Sequence, residues 1–141
     1  MSSIVQTQTT SFKKELYQAV HNLSTDTLKI ALYTAAADLN QATTVYSSTN
    51  EVVASGYTAG GNALVVTVNP TTGTSDTAYF SFANAAWSSA LTARGALIYK
   101  NDGATNPAIC VLDFGNDKTS TTTFTVQFPT ADNTSAIIRI S

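Results

Sequence analysis

The sequence predicts a mainly β fold: a single-domain antiparallel β-sandwich or barrel (jelly-roll-like) with one N-terminal α-helix. A length of 141 residues corresponds to one domain, which we place at residues 11–141 behind an N-terminal arm of residues 1–10. Seven or eight apolar runs follow one another at intervals of about 10–17 residues, separated by Gly, Pro and Asn turns. The connections left between runs at this spacing are long enough for hairpins but too short to hold crossover helices. This favours antiparallel pairing.

The single predicted helix lies near the N-terminus. Apolar side chains recur there at spacings of four, seven, eight and eleven residues, which places them on one helical face. They are Phe12, Leu16, Ala19, Val20 and Leu23. The hydroxyl of Ser11 offers an N-cap, and a polar turn after Leu23 predicts an end near Asn22.

Beyond the helix the apolar period changes to two, which is typical of half-buried strands. The predicted strands cover residues 27–33, 62–68, 77–82, 94–100, 107–114, 121–128 and 136–140. Asn69-Pro70 is expected to close the second of these strands, and Gly115-Asn116-Asp117 to form the turn after the fifth. The runs 94–100 and 107–114 are expected to pair as a hairpin.

The inward positions of these strands predict the core. It is expected to contain Leu28, Ile30, Leu32, Leu64, Val66, Phe80, Phe82, Leu97, Ile109, Val111, Phe124, Val126 and Ile138. In the first strand, Lys29, Ala31 and Tyr33 fall on the opposite face. A slip of one residue would invert the two faces of a strand.

Composition argues against several classes of partner. Charged residues make up 11% of the chain, the formal net charge is −2 and the pI is about 5.0. Lys and Arg are scattered, and nucleic-acid binding needs a basic footprint, so no nucleic-acid partner is expected. No apolar run approaches the roughly 18–20 residues that span a bilayer, so no membrane partner is expected. The first ten residues lack the basic and apolar regions of a Sec signal.

Few residues could carry catalysis or bind a metal. His21 lies on the predicted helix, where a partly exposed position near its C-terminal end is the expectation. Cys110 lies in an apolar run and is expected to be a small buried hydrophobe. With one Cys and one His, the chain cannot form a conventional structural zinc site. We therefore predict no catalytic, cofactor-binding or metal-binding residue, and no enzymatic activity.

Acidic and aromatic residues leave two further alternatives open. Asp113 and Asp117 bracket a Gly-Asn pair, with Asp102 in a nearby turn, and their oxygens could hold Ca²⁺. Asx-turn formation explains the same residues more simply, because Asp side chains often accept from nearby backbone N–H groups. Carbohydrate recognition would require aromatic rings such as Trp87, Tyr46 and Tyr57 to be exposed.

The N-terminal arm is the predicted inter-subunit element. It is polar and aperiodic, but Ile4 and Val5, followed by Gln6 and Thr7, have good strand propensity. So short a segment buries too little surface alone to offset its ordering entropy. We expect residues 2–10 to be mobile in an isolated subunit and extended along the sheet edge of an adjacent subunit.

Five segments of the chain carry a resemblance to a known group of proteins. They are Thr27-Leu28-Lys29-Ile30-Ala31-Leu32-Tyr33-Thr34, residues 49–61, Ala93-Arg94-Gly95-Ala96-Leu97-Ile98-Tyr99, Val111-Leu112-Asp113-Phe114-Gly115 and Ala136-Ile137-Ile138-Arg139-Ile140. In wording and order they resemble small virion structural proteins of tailed bacteriophages. The resemblance covers residues 12–140 and carries no catalytic residue with it.

The resemblance implies a non-enzymatic bacteriophage virion structural protein without a cofactor. We expect a capsid decoration (cement) protein on the capsid surface, made in the host cytoplasm, that stabilises the shell through subunit contacts. Its partners would be the major capsid protein and copies of itself in a homo-oligomer, a trimer being one such form. The alternative is a tail, neck or baseplate component, or an adhesin that binds host glycans.

Overall fold

The computed structural model describes residues 3–74 and 76–140. This part of the chain is mainly β, as predicted, with one α-helix, α1 (Thr10–Tyr17). Its strands are β1 (Ser3–Ile4), β2 (Thr7–Gln8), β3 (Leu28–Tyr33), β4 (Asp38–Leu39), β5 (Asn62–Ala63), β6 (Val66–Thr72), β7 (Ala78–Phe82), β8 (Ala85–Trp87), β9 (Thr92–Lys100), β10 (Ala108–Thr119), β11 (Phe124–Val126) and β12 (Ile138–Ile140).

The described strands form four sheets. The largest is an antiparallel sheet in the order β2-β10-β9-β3-β5, in which β2 and β5 are open edges, so it is not closed into a barrel. A second antiparallel sheet has the order β12-β7-β6, and β11 pairs antiparallel with β8. The short strands β1 and β4 pair in parallel. Of the two predicted architectures, this arrangement fits the sandwich.

The main core lies between the five-stranded sheet and the two smaller antiparallel sheets. Leu28, Ile30 and Leu32 enter it from β3, and Phe80 and Phe82 enter it from β7. Most of the predicted core residues are buried here or on the opposite face of the large sheet. Leu64 and Val66 are only half-buried and pack against the main core from its rim.

A second core covers the other face of the five-stranded sheet. It contains Ile4, Ala31, Tyr33, Ala37, Leu39, Leu97, Tyr99, Ala108 and Val111. Ala31 and Tyr33 were expected on the outward face of β3, but both are buried. Leu97 and its neighbour Ile98 are both fully buried, one in each core, so β9 is covered on both sides.

Several predicted strand bounds differ from the structure. The predicted strand 62–68 is divided into β5 and β6, which belong to different sheets, and the predicted strand 121–128 is reduced to β11. Two further ends are wrong for a clear physical reason. β6 continues through Pro70 to Thr72 because it is an edge strand, where a residue without an N–H is tolerated. The predicted turn at Gly115 lies inside β10, where Gly115 has a φ of +86° and the register with β9 shifts between Asp113 and Lys118. A glycine with positive φ allows such a bulge without ending the strand.

The helix also differs from its prediction at both ends. Thr9 is the N-cap, since its hydroxyl accepts from the Phe12 N–H at 3.2 Å, and the expected cap Ser11 lies inside the first turn. The helix ends at Tyr17 rather than near Asn22, because the chain turns away at Ala19, which has a φ of +59°. Among the described residues, no helix has the length and hydropathy needed to cross a membrane.

Candidate functional site

The predicted arm residues lie against their own domain. Ile4 is 5% exposed and is part of the second core, whereas Val5 is 52% exposed. Gln6 accepts from the Asp113 N–H through Oε1 at 3.2 Å, and Thr7 pairs with Val111 in β10. Two consecutive side chains of the arm thus differ: Ile4 is buried, and Val5 points outward.

Backbone hydrogen bonds hold this segment at both ends. The Val5 N–H donates to the Leu39 carbonyl at 2.8 Å, and the Thr9 N–H donates to the Ile109 carbonyl at 3.0 Å. The expectation of a mobile arm in an isolated subunit is therefore wrong for the described part of the segment. The reason is the second core, which gives Ile4 a burial site that the alternation pattern does not indicate. Contact of the arm with an adjacent subunit stays a prediction.

A groove runs beside the arm, between two strands that do not pair with each other. The edge strand β2 lies on one side and the edge strand β12 on the other. The side chain of Gln8 crosses the gap: its Nε2 donates to the Arg139 carbonyl at 2.8 Å. Direct pairing would need the strands about 4.8 Å apart. Because a side chain bridges them instead, the sandwich is open between β2 and β12.

The groove has a volume of about 570 Å³ and combines apolar and basic lining. Helix α1 contributes Lys13, Leu16 and Tyr17, and β12 contributes Arg139 and Ile140. Tyr17 is 95% exposed, so nearly all of its surface is accessible at the groove. We call this set, together with Thr7 and Gln8, the α1–β12 groove.

A polar cluster that the sequence analysis did not identify is buried near the second core. Glu51 is 5% exposed, and its carboxylate accepts three hydrogen bonds. Tyr46 donates to Oε1 at 2.6 Å, while Tyr57 and the Gly60 N–H donate to Oε2 at 2.6 and 2.8 Å. A buried carboxylate without a cation is tolerated when its oxygens are saturated in this way.

The hydroxyls around Glu51 are held in their protonated form. Burial raises the pKa of Tyr99 to about 12, and the charge of Glu51 adds to the effect. Burial also raises the pKa values of Tyr57 and Tyr46, and their hydrogen bonds to Glu51 contribute in the same direction. These tyrosines are therefore hydrogen-bond donors near neutral pH, and the cluster attaches the irregular segment 40–61 to the sheet.

The signal for this cluster is weak in the sequence. Glu51 precedes two valines in a segment of small and polar residues, where a surface carboxylate is the ordinary expectation. The structure buries it because Tyr33 forms a β-bridge to Glu51, which brings the segment onto β3. That contact is non-local, so no spacing rule reveals it.

His21 and Cys110 have local structural roles. His21 is buried rather than partly exposed: its Nε2 lies 3.0 Å from Glu15 Oε1 and its ring packs edge-on against Phe12. Cys110 is buried as predicted, and burial raises the pKa of its thiol to about 12. A thiol in that state is a poor nucleophile.

The aspartates favour the Asx-turn interpretation. Asp102 accepts from the N–H groups of Asn106 and Ala104, both at 2.9 Å, and these bonds lower its pKa to about 2. Asp113 accepts from the Gly115 N–H at 2.9 Å and lies 3.5 Å from Arg94. Within residues 3–74 and 76–140, no group of three His, Cys, Asp or Glu residues is arranged to hold a metal ion.

The aromatic side chains considered for glycan recognition are mostly unavailable. Trp87 and Tyr57 are buried in the main core. Tyr46 is half-buried and stacks on Tyr99 with a centroid distance of 4.7 Å. The exposed aromatic platform that carbohydrate binding would require is therefore not formed by these three residues.

Comparison with protein-family models, curated proteins and solved structures finds no match to this chain.

Proposed function

We propose that this protein is a non-enzymatic bacteriophage virion structural protein, and specifically a capsid decoration (cement) protein. The observation that carries the proposal is the mode of attachment of the N-terminal segment. β1 and β2 are two residues long, and each is added to a strand edge mainly through backbone hydrogen bonds. Backbone pairing of this kind works equally well between copies, because each copy offers the same edges.

The surface composition supports a role in repeated contacts. Only 11% of the residues are charged, while Ser and Thr together number 38. Short side chains lose little rotamer entropy when surfaces associate, whereas Lys and Glu lose much more. The resemblance of residues 12–140 to small phage virion proteins points the same way.

The partners in this proposal are the major capsid protein and further copies of the chain. In this proposal the outward side chain of the arm, Val5, contacts them; it is 52% exposed. Within the alternative of a tail, neck or baseplate component or a glycan-binding adhesin, the adhesin has less support, since its aromatic candidates Trp87 and Tyr57 are buried. A homo-oligomer, with a trimer as one form, is measurable directly by light scattering of the purified protein.

The test is uptake by expanded capsids that lack decoration, assembled from the cognate major capsid protein. We expect saturable binding of the wild-type protein and immunogold label on the head. Val5→Asp is expected to reduce uptake strongly, whereas Val53→Asp is the matched control at a side chain that is 97% exposed elsewhere. Absence of saturable uptake, or label confined to the tail, would overturn the proposal.

A further inference from the structure

We propose that the α1–β12 groove binds an extended acidic segment of another protein, which enters as an additional strand between β2 and β12. The inference goes beyond the proposed function and does not depend on where the protein acts. It rests on three features of the groove: two facing strand edges, a local excess of positive charge and an apolar floor. Each feature selects a different property of the occupant.

The two edges select an extended backbone. β12 pairs with β7 on one side, and β2 pairs with β10 on one side, so each has an edge directed toward the groove. Edge strands offer N–H and C=O groups to an added strand. The Gln8 amide already donates to the Arg139 carbonyl across the gap, which is the bond that an incoming backbone N–H would make.

The charges select acidic side chains. Lys13 and Arg139 line the groove, and neither forms an ion pair within the described part of the chain. The acidic residue on the same helix, Glu15, is engaged by His21. A pair of uncompensated cations on a chain of net charge −2 is complementary to carboxylates.

The floor selects an aliphatic side chain. A cavity of about 100 Å³ adjoins the groove, shares Leu16 and Ile140 with it, and is lined deeper by Phe12 and Phe80. This volume suits a side chain of about the size of valine. In an extended segment, alternate residues point to opposite faces, so carboxylates outward and valines inward satisfy both requirements.

A peptide fits these features better than a nucleic acid. Nucleic-acid backbones are bound by larger groups of cations, and two are present here. Strand edges and an aliphatic cavity have no counterpart in a phosphate backbone. The exposed ring of Tyr17 would cover the bound peptide at the helical side of the groove, as aromatic anchors commonly do.

The test uses the full-length protein and a rhodamine-labelled octapeptide of alternating Asp and Val with blocked termini. Fluorescence anisotropy is expected to show saturable binding with a Kd below about 1 mM. A Lys/Val octapeptide and an octamer of deoxythymidylate are expected not to bind. The Asp/Val peptide with N-methylated valines is expected to bind at least tenfold more weakly, since N-methylation removes backbone donors.

Protein variants then locate the site. Lys13→Gln combined with Arg139→Gln is expected to weaken binding about fivefold or more, and Lys118→Gln is the matched control on another surface. Tyr17→Ala is expected to weaken binding about tenfold, with Val53→Ala as its control. Unchanged thermal unfolding of each variant shows that the fold is intact.

A gain of affinity provides a readout that misfolding cannot imitate. Gln8→Ala frees the Arg139 carbonyl, so we expect the peptide to bind about threefold more tightly to this variant. The proposal is overturned by any of four results: no saturable binding of the acidic peptide, equal binding of the N-methylated peptide, equal effects of the groove and control variants, or preferred binding of the oligonucleotide.

Discussion

The side chain of Ile4 packs directly against the backbone of Gly95, 91 positions later in the chain. A Cβ at Gly95 would lie 2.9 Å from both Cγ2 and Cδ1 of Ile4, and 2.6 Å from the Leu112 carbonyl oxygen. Real Cβ atoms do not approach other atoms this closely, so β9 accommodates the arm only because residue 95 is glycine. The N-terminal segment is therefore an integral part of the second core.

The first prediction concerns the two neighbouring arm residues. Ile4→Ala is expected to lower the free energy of unfolding by about 2–4 kcal/mol, because it leaves a cavity above Gly95. Val5→Ala is the matched control, with an expected change below about 0.5 kcal/mol, since the Val5 side chain points outward. Urea titration measures both. Equal effects of the two substitutions would contradict the docking of Ile4.

The second prediction tests the buried carboxylate. Glu51→Gln replaces an acceptor oxygen by an amide that faces a donor, either the Tyr46 hydroxyl or the Tyr57 hydroxyl and the Gly60 N–H. We expect a loss of about 2–3 kcal/mol in denaturant titration. Asp117→Asn makes the same chemical change at an exposed position and should cost less than about 0.5 kcal/mol. A Glu51→Gln protein as stable as wild type would show that the hydrogen bonds are not required.

The third prediction is a decline of stability at alkaline pH. Burial raises the pKa values of Tyr57 and Tyr99 above the value of about 10 that unfolded tyrosine has. Above pH 10 the unfolded chain therefore loses protons that the folded chain retains, and the free energy of unfolding falls as pH rises. Below pH 10 this contribution is fully present.

One tyrosine variant isolates that contribution. Each such group changes the slope by at most about 1.4 kcal/mol per pH unit. Tyr46→Phe removes one hydroxyl whose pKa is raised in the folded protein. The free energy of unfolding of this variant should therefore fall less steeply than that of wild type between pH 10 and pH 12. Parallel slopes for the two proteins in denaturant titrations would refute this assignment.

The fourth prediction concerns thiol reactivity. Cys110 is 2% exposed and burial raises its pKa to about 12, so we expect it to react with a disulfide reagent only when the protein unfolds. Val53→Cys adds a thiol at a 97% exposed position and should react within the mixing time. Rapid labelling of the wild-type protein in native buffer would contradict the buried placement of β10.

Local patterns predicted the elements better than they predicted the layers. The alternation of Leu28, Ile30 and Leu32 correctly indicated a buried face of β3, because that face packs on ordinary apolar strands. The opposite face, which carries Lys29 beside Ala31 and Tyr33, lies outside the predicted core, yet Ala31 and Tyr33 are buried. Its burial depends on Ile4 of the arm and on the irregular chain that follows β3, from which Ala37 and Leu39 pack in the second core without a regular period.

The candidate site was likewise predicted only in part from local patterns. The arm residues Ile4 to Thr7 were identified from their strand propensity, but the edge that they occupy was not. The α1–β12 groove joins a residue near the start of the chain, Lys13, to one near its end, Arg139. No spacing in the sequence signals such a juxtaposition, since Lys13 lies on helix α1 and Arg139 on strand β12.

The docking of the arm on β9 and β10 also sets an order of folding. Residues 3–8 are synthesised before the strands that receive them, Thr92–Lys100 and Ala108–Thr119, which emerge about ninety residues later. The arm can attach only after both strands have been made, and its attachment then closes a loop of about ninety residues. Until its own arm attaches, the site over Gly95 that receives Ile4 is open to the arm of any copy nearby. Chains folding at high local concentration therefore have a kinetic route to exchanged arms that dilute, isolated chains lack.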